Sequence, residues 1–335
     1  MTTYTATQKR YGLNNMNAYA QRAKLGDLVY NGAGGGYPLD YPGSIYYVNN
    51  VTGSSTNDGL SWATAFDEVS TAITASEVAR NVFITAHANN LGIRNIIYVQ
   101  GTNLPYAALA ALPLHCSIVG VGDQAYGNGQ GIPVIGTTAA GLAGVSGVVT
   151  QGTTVRGCEF YNVQFTAGGT STWCFDCVGS FLRGAFVNCS FLINGSTTTG
   201  GCLRAQSSFA GNWISHCQFT GDSGYPAYGI YLTGGSINNN IIENNIINGT
   251  TAGVLVAGGD DINTVWRDNT IGLTYGTYGV EDSGSYSIWS HNYCIGSTAG
   301  MLLNTNPTRR AIANYVIDAG EGHMYTPVHT STTST

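Results

Sequence analysis

One six-residue frame recurs along the second half of this chain, and it constrains the fold more than any other feature. The frame is apolar, any, polar, any, any, apolar. It runs Phe160 to Phe165 with Asn162 in third place, Phe186 to Phe191 with Asn188, and Ile214 to Phe219 with His216. It continues as Ile242 to Ile247 with Asn244, Trp266 to Ile271 with Asp268, Trp289 to Cys294 with His291, and Ile312 to Ile317 with Asn314. The steps are 26, 28, 28, 24, 23 and 23 residues. A second frame, Gly then apolar, falls out of phase with the first at Gly201-Cys202, Gly229-Ile230, Gly253-Val254, Gly279-Val280 and Gly300-Met301. A third column runs Phe181, Phe209, Ile237, Ile262, Tyr286. Three columns at one period predict three strands per rung, the cross-section of an all-β, right-handed single-stranded parallel β-helix.

The competing repeat architectures fail on chemistry. Leucine-rich repeats need a Leu frame and helical repeats need long Ala/Leu/Glu segments, and neither is present. A sandwich would not hold three columns in phase for seven turns. In a solenoid the polar third position has a natural place, in a tight turn where Asn tolerates left-handed backbone. Composition agrees: only 9% of residues are charged, and 47 glycines suit short strands and turns better than helices.

Charge divides the chain. Lys9, Arg10, Arg22 and Lys24 face no acid in residues 1–25, whereas the remainder sets eight arginines against eighteen acids, a net of −10. The reading is a docking arm over 1–30, with a short helix capped by Asn14 or Asn15 and ended by Gly26. A Gly/Pro linker follows over 31–44, then an N-terminal cap and first rungs over 45–122, rungs over 123–317 and a tail over 318–335. Within the cap, Asp58-Gly59 reads as a turn, and Asp67 as the cap of a helix carrying Val69, Ile73 and Val78. The acidic body lacks the basic balance of a nucleic-acid binder. No apolar run has the length of a signal peptide or a membrane span, so cytosolic thiols are expected for the eight Cys. Cys174 and Cys177 form a lone CxxC without a second pair at zinc spacing, so neither metal nor cofactor is expected.

The stretch Asp58-Gly59-Leu60-Ser61-Trp62-Ala63-Thr64-Ala65-Phe66, followed by a helix and then Ile96-Ile97-Tyr98-Val99-Gln100-Gly101-Thr102, resembles the opening of pectate-lyase-like β-helix proteins. The later frames look like the asparagine turns of that family, over roughly residues 45–317. Arm, linker and β-helix body together resemble bacteriophage tailspikes, fibres and capsid decorations. That resemblance implies a homotrimer in the virion, made in the host cytoplasm and held to a capsid or tail protein through the arm. The enzymes of the fold match poorly. Their lyases imply an acidic calcium cluster with an Arg or Lys base, and no Lys follows Lys24 here. Their hydrolases imply Gly-His-Gly and Arg-Ile-Lys, both absent, and only Asp260-Asp261 resembles their Asp motifs.

Stacking the Gly frame gives a candidate glycan site. Tyr225 and Tyr275 each lie four residues before their frame glycine, and Tyr228 and Tyr278 lie one before it. The rung between supplies Gly249 and Ala252, so two tyrosine pairs stand two rungs apart over small residues. Glycosidic chemistry needs two carboxylates ~5–9.5 Å apart, and Glu281 or Asp282 with Asp260 or Asp261 are the candidates. His216 and His291 occupy the turn column and read as structural. Further expectations are thiol ladders at Cys174/Cys202 and Cys189/Cys217, and a stacked Asp176–Arg204 ion pair that faces either inward or outward. The functional expectation is a virion structural protein displaying a β-helix for surface or glycan attachment. A glycan depolymerase and a stand-alone carbohydrate-binding protein are the alternatives.

Overall fold

The computed structural model describes residues 42–86, 93–102, 104–122, 131–136, 149–168, 173–195, 199–221, 225–258, 260–272, 276–284, 286–303, 310–318 and 323–325. The expected arm with Lys9, Arg10, Arg22 and Lys24 lies outside these residues, as does Tyr275. The fold is a parallel β-solenoid. One rung runs Trp173–Cys177, Phe181–Leu182, Ala185–Val187 and Ser190–Asn194 before Gly201–Ala205 opens the next. The rungs stack into a 14-stranded sheet A, a nine-stranded sheet B and a seven-stranded sheet C. Sheet A takes two short strands from such a rung, and Asp260–Arg267 pairs with both of their ladders. The six-residue frame is therefore two strands in different sheets with a corner between them, as in Ala185–Val187 and Ser190–Asn194.

That corner explains the polar third position. Asn162, Asn188, His216, Asn244, Asp268 and His291 all have φ of 55° or 56°. Side chains that bond locally tolerate this left-handed backbone best. The next residue turns inward and carries a ladder the sequence reading missed. Asn245, Asn269, Asn292 and Asn314 bond amide to amide at 3.0, 2.9 and 2.9 Å, each buried. Each also caps a strand carbonyl, as Asn269 does for Ile242 at 2.9 Å. These polar groups are tolerated inside because their hydrogen bonds are complete.

The core is aromatic and stacked in register. Phe160 lies on Phe186 at 5.5 Å, Phe191 on Phe219 at 4.6 Å, and Trp266 on Trp289 at 4.6 Å. At the N-terminal end, Val69–Ala86 forms the helix α1. Its buried stripe is Val69, Ala72, Ile73 and Ser76, the spacing of one helical face. Val78 falls off that stripe and is 57% exposed, unlike the expectation. The residue preceding the helix is Glu68, whose carbonyl accepts from Ala72, so Asp67 is not its cap. The first strand, Pro42–Val48, begins inside the segment expected to be linker.

Three of the expected registers are one residue off. Trp289 pairs with Ala311 and Cys294 with Val316, so the last frame is Ala311 to Val316. Its turn residue is Ala313, at φ 52°, and Asn314 belongs to the inner ladder. Ile237 pairs with Asp261, which displaces Ile262 from the third column. Gly201 pairs with Tyr228, not Gly229. Here the glycine serves ring packing: a Cβ on Gly201 would sit 2.8 Å from the Trp173 ring and 2.2 Å from the Tyr228 carbonyl oxygen.

The cysteine ladders form as expected. Strand pairings set Cys174 beside Cys202 and Cys189 beside Cys217, and a third pair, Cys116 with Cys158, was not foreseen. All eight cysteines are free and buried. Burial pushes the Cys116 and Cys177 thiols up to about 12 and raises Cys158, Cys202 and Cys217 as well. Thiolate, the reactive form, is therefore depleted at pH 8. Native protein treated with iodoacetamide at pH 8 is expected to stay unmodified until denaturant unfolds it. Rapid alkylation of folded protein would contradict the packing.

Candidate functional site

Strand alternation decides what sheet C presents to solvent. Phe175, Leu203, Ile230, Val254 and Val280 form one row of its ladder and are fully buried. The next row, Asp176, Arg204, Tyr231, Leu255 and Glu281, therefore faces out. One residue further, Cys177, Ala205, Leu232, Val256 and Asp282 face in again. The row Trp173, Gly201, Tyr228, Ala252, Tyr278, Ala299 breaks that alternation: ring contacts with Tyr231 and Arg204 set Trp173 and Tyr228 on the outer side, where ring and small residue alternate along the ladder.

The first three rungs of this face are packed shut. Tyr228 stacks on Trp173 at 6.1 Å across Gly201, and on Tyr231 at 4.7 Å. The Arg204 guanidinium lies 4.9 Å from the Trp173 ring centre, a cation–π contact. The same group binds Asp176 through two of its nitrogens, Nε to Oδ1 at 2.9 Å and Nη2 to Oδ2 at 2.6 Å. Gln206 Nε2 donates to Oδ1 as well, at 2.9 Å. The expected ion pair is present in the expected register, on the outer face. Its row continues as Tyr231 and Leu255, while Leu232 and Val256 in the next row face in.

Beyond Tyr228 this face is only partly exposed: Ala252 is fully buried, while Leu255, Tyr278 and Glu281 are half-buried. Tyr228 and Tyr278 flank Ala252 in register, two rungs or about 9.6 Å apart, as the Gly frame implied. Beside them Tyr231 and Glu281 flank Leu255. The result is a shallow notch over Leu255, with Tyr228 and Tyr231 on one wall and Tyr278 and Glu281 on the other, while Ala252 itself is buried. Burial raises the Tyr228 phenol above its ordinary range, and the charges of Tyr231 and Glu281 add to the shift. Tyr225, 46% exposed, leads into the same strand.

The remaining candidates separate. Asp282 points into the core, 1% exposed, and accepts from Trp289 Nε1 at 2.9 Å, Ser287 Oγ at 2.5 Å and the Gly284 amide at 2.7 Å. It is a structural acceptor, on the opposite face from Glu281. Asp260 and Asp261 lie in sheet A opposite Ser236 and Ile237. Their side chains fall outside what the structure describes. On the outer rows of sheet C the described carboxylates are Asp176 and Glu281, four rungs or about 19 Å apart. That span exceeds the ~5–9.5 Å of a glycosidic acid–base pair. His216 and His291 are exposed turn residues, and Ser215 Oγ meets His216 Nδ1 at 2.8 Å. Among the described residues no group of three or more His, Cys, Asp or Glu converges to hold a metal.

Trp173, Tyr231 and Leu255 are the site residues that sequence reading missed. Their signal was present in the step from Trp173 to Tyr228, hidden by the one-residue shift at Gly201.

No protein-family model matches this chain, and no curated protein matches it. Among solved structures, it is similar to the GH136 lacto-N-biosidase from Eubacterium ramulus over 81% of this chain and 67% of that one. At 11% sequence identity and a TM-score of 0.20, that likeness assigns neither a family nor an activity.

Proposed function

We propose that this chain is a virion structural protein of the fibre, tailspike or capsid-decoration kind, whose solenoid holds a carbohydrate ring in the notch on sheet C. The observation that supports attachment is the pair Tyr228 and Tyr278 across Ala252, with Glu281 beside them. Tyrosine faces cover the apolar face of a sugar ring, and a carboxylate accepts from its hydroxyls. In the same proposal the basic segment with Lys9, Arg10, Arg22 and Lys24 holds the protein to a capsid or tail protein, as a homotrimer. Deleting residues 1–36 is expected to leave a folded body that no longer joins the particle, and full incorporation would overturn the docking role.

The attachment role is tested by binding to immobilised surface polysaccharide of the host. Tyr228→Ala and Tyr278→Ala are each expected to weaken binding about tenfold, or ~1.4 kcal/mol, with the solenoid still folded by circular dichroism. Unchanged binding in both variants would remove the notch from the account. Polymer length is followed in the same assay: an attachment site leaves it constant, whereas new reducing ends would favour the depolymerase reading.

A further inference from the structure

The notch carries a charge preference. We infer that it takes neutral or amino-bearing sugar rings and rejects uronic and sialic acids, an inference that rests on the sugar-binding reading above.

The argument is one of charge accounting on the outer rows of sheet C. The negative wall is Glu281, half-buried beside the partly exposed Leu255. The one cation of these rows among the described residues is Arg204, and it is spent. Its guanidinium is held by both oxygens of Asp176 and lies against the Trp173 ring, with Gln206 completing the carboxylate. Arg204 is also separated from Leu255 by Tyr231 in the same row. Among the described residues of these rows no guanidinium is thus free to form the forked pair that recognises a sugar carboxylate. An acidic ring seated between Tyr228 and Tyr278 would bring a second carboxylate toward Glu281, in a body whose charge is −10. Like charges set against each other reject a ligand more effectively than missing contacts do. An ammonium on the same ring would instead pair with Glu281.

The probes are four oligosaccharides of equal length: of glucose, N-acetylglucosamine, glucosamine and galacturonic acid. Binding to the full chain is measured calorimetrically at pH 7 and low salt. The uronate is expected to bind about tenfold more weakly than the neutral probes, and the glucosamine oligomer at least as tightly as they do. Glu281→Gln should bring the uronate to within about threefold of the neutral probes bound by the same variant, and remove any advantage of glucosamine over them. Raising salt should narrow the wild-type differences.

Equal binding of uronate and neutral probes by the wild type would overturn the charge preference and leave the sugar site standing. So would a Glu281→Gln variant with unchanged ratios, which would place the discrimination in the overall charge of the body. Binding of none of the four would overturn the sugar-ring reading itself, and this inference with it.

Discussion

Replacing Arg204 with Gln is expected to destabilise the solenoid by about 3 kcal/mol, because it strands a carboxylate that the fold has already desolvated. Asp176 is 6% exposed and receives two bonds from Arg204 and one from Gln206. Glutamine at position 204 presents no fork and no charge. The converse change should cost less. In Asp176→Asn the guanidinium keeps the Trp173 ring and, at 28% side-chain exposure, some water, so about 2 kcal/mol is expected. The double variant should cost far less than the sum, with a coupling of about 2 kcal/mol in a denaturation cycle. Additive single effects below about 1 kcal/mol would mean that the pair is solvated and that the rungs of sheet C are not stacked as described.

Asp282→Ala should cost more, about 4 kcal/mol. Three buried donors lose their acceptor together: the Trp289 indole, the Ser287 hydroxyl and the Gly284 amide. Each unsatisfied group costs ~1–3 kcal/mol, and the removed carboxylate also leaves a void. The neighbouring rung supplies an internal control. There Val256 stands where Asp282 does, and Trp266, stacked beneath Trp289, has an indole nitrogen with no hydrogen-bond partner. The core thus tolerates one orphaned indole, so the expected loss comes from three donors failing at once. Asp282→Asn keeps an acceptor in place and should recover about half of the loss. A cost below 1 kcal/mol for Asp282→Ala would contradict the inward placement and return Asp282 to the outer face.

Much of this was legible in the chain because a solenoid repeats its own geometry. The Phe and Trp columns, the left-handed corner at Asn162 through His291, and the Asp176–Arg204 pair all follow from one period applied to residue types. The failures were single-residue slips, and each has a physical origin. Gly201 looks like its successors Gly229 and Gly253, but it exists to admit the rings of Trp173 and Tyr228. Ala313 takes the corner φ that Asn or His holds in the earlier rungs, so Asn314 was read one place early. Parity was the other loss. Val280 is inward, so alternation alone sends Glu281 out and Asp282 in, and treating them as equal catalytic candidates ignored the pleat. The register of Tyr228, Ala252 and Tyr278 was read correctly because their steps fall where the glycine frame is true.

The most direct measurement is a crystal structure of the protein soaked with the tightest-binding neutral oligosaccharide. The account predicts a sugar ring over Leu255, between Tyr228 and Tyr278, with a ring hydroxyl donating to Glu281. A ring bound on sheet A or sheet B, with the sheet C notch empty at saturating ligand, would contradict it.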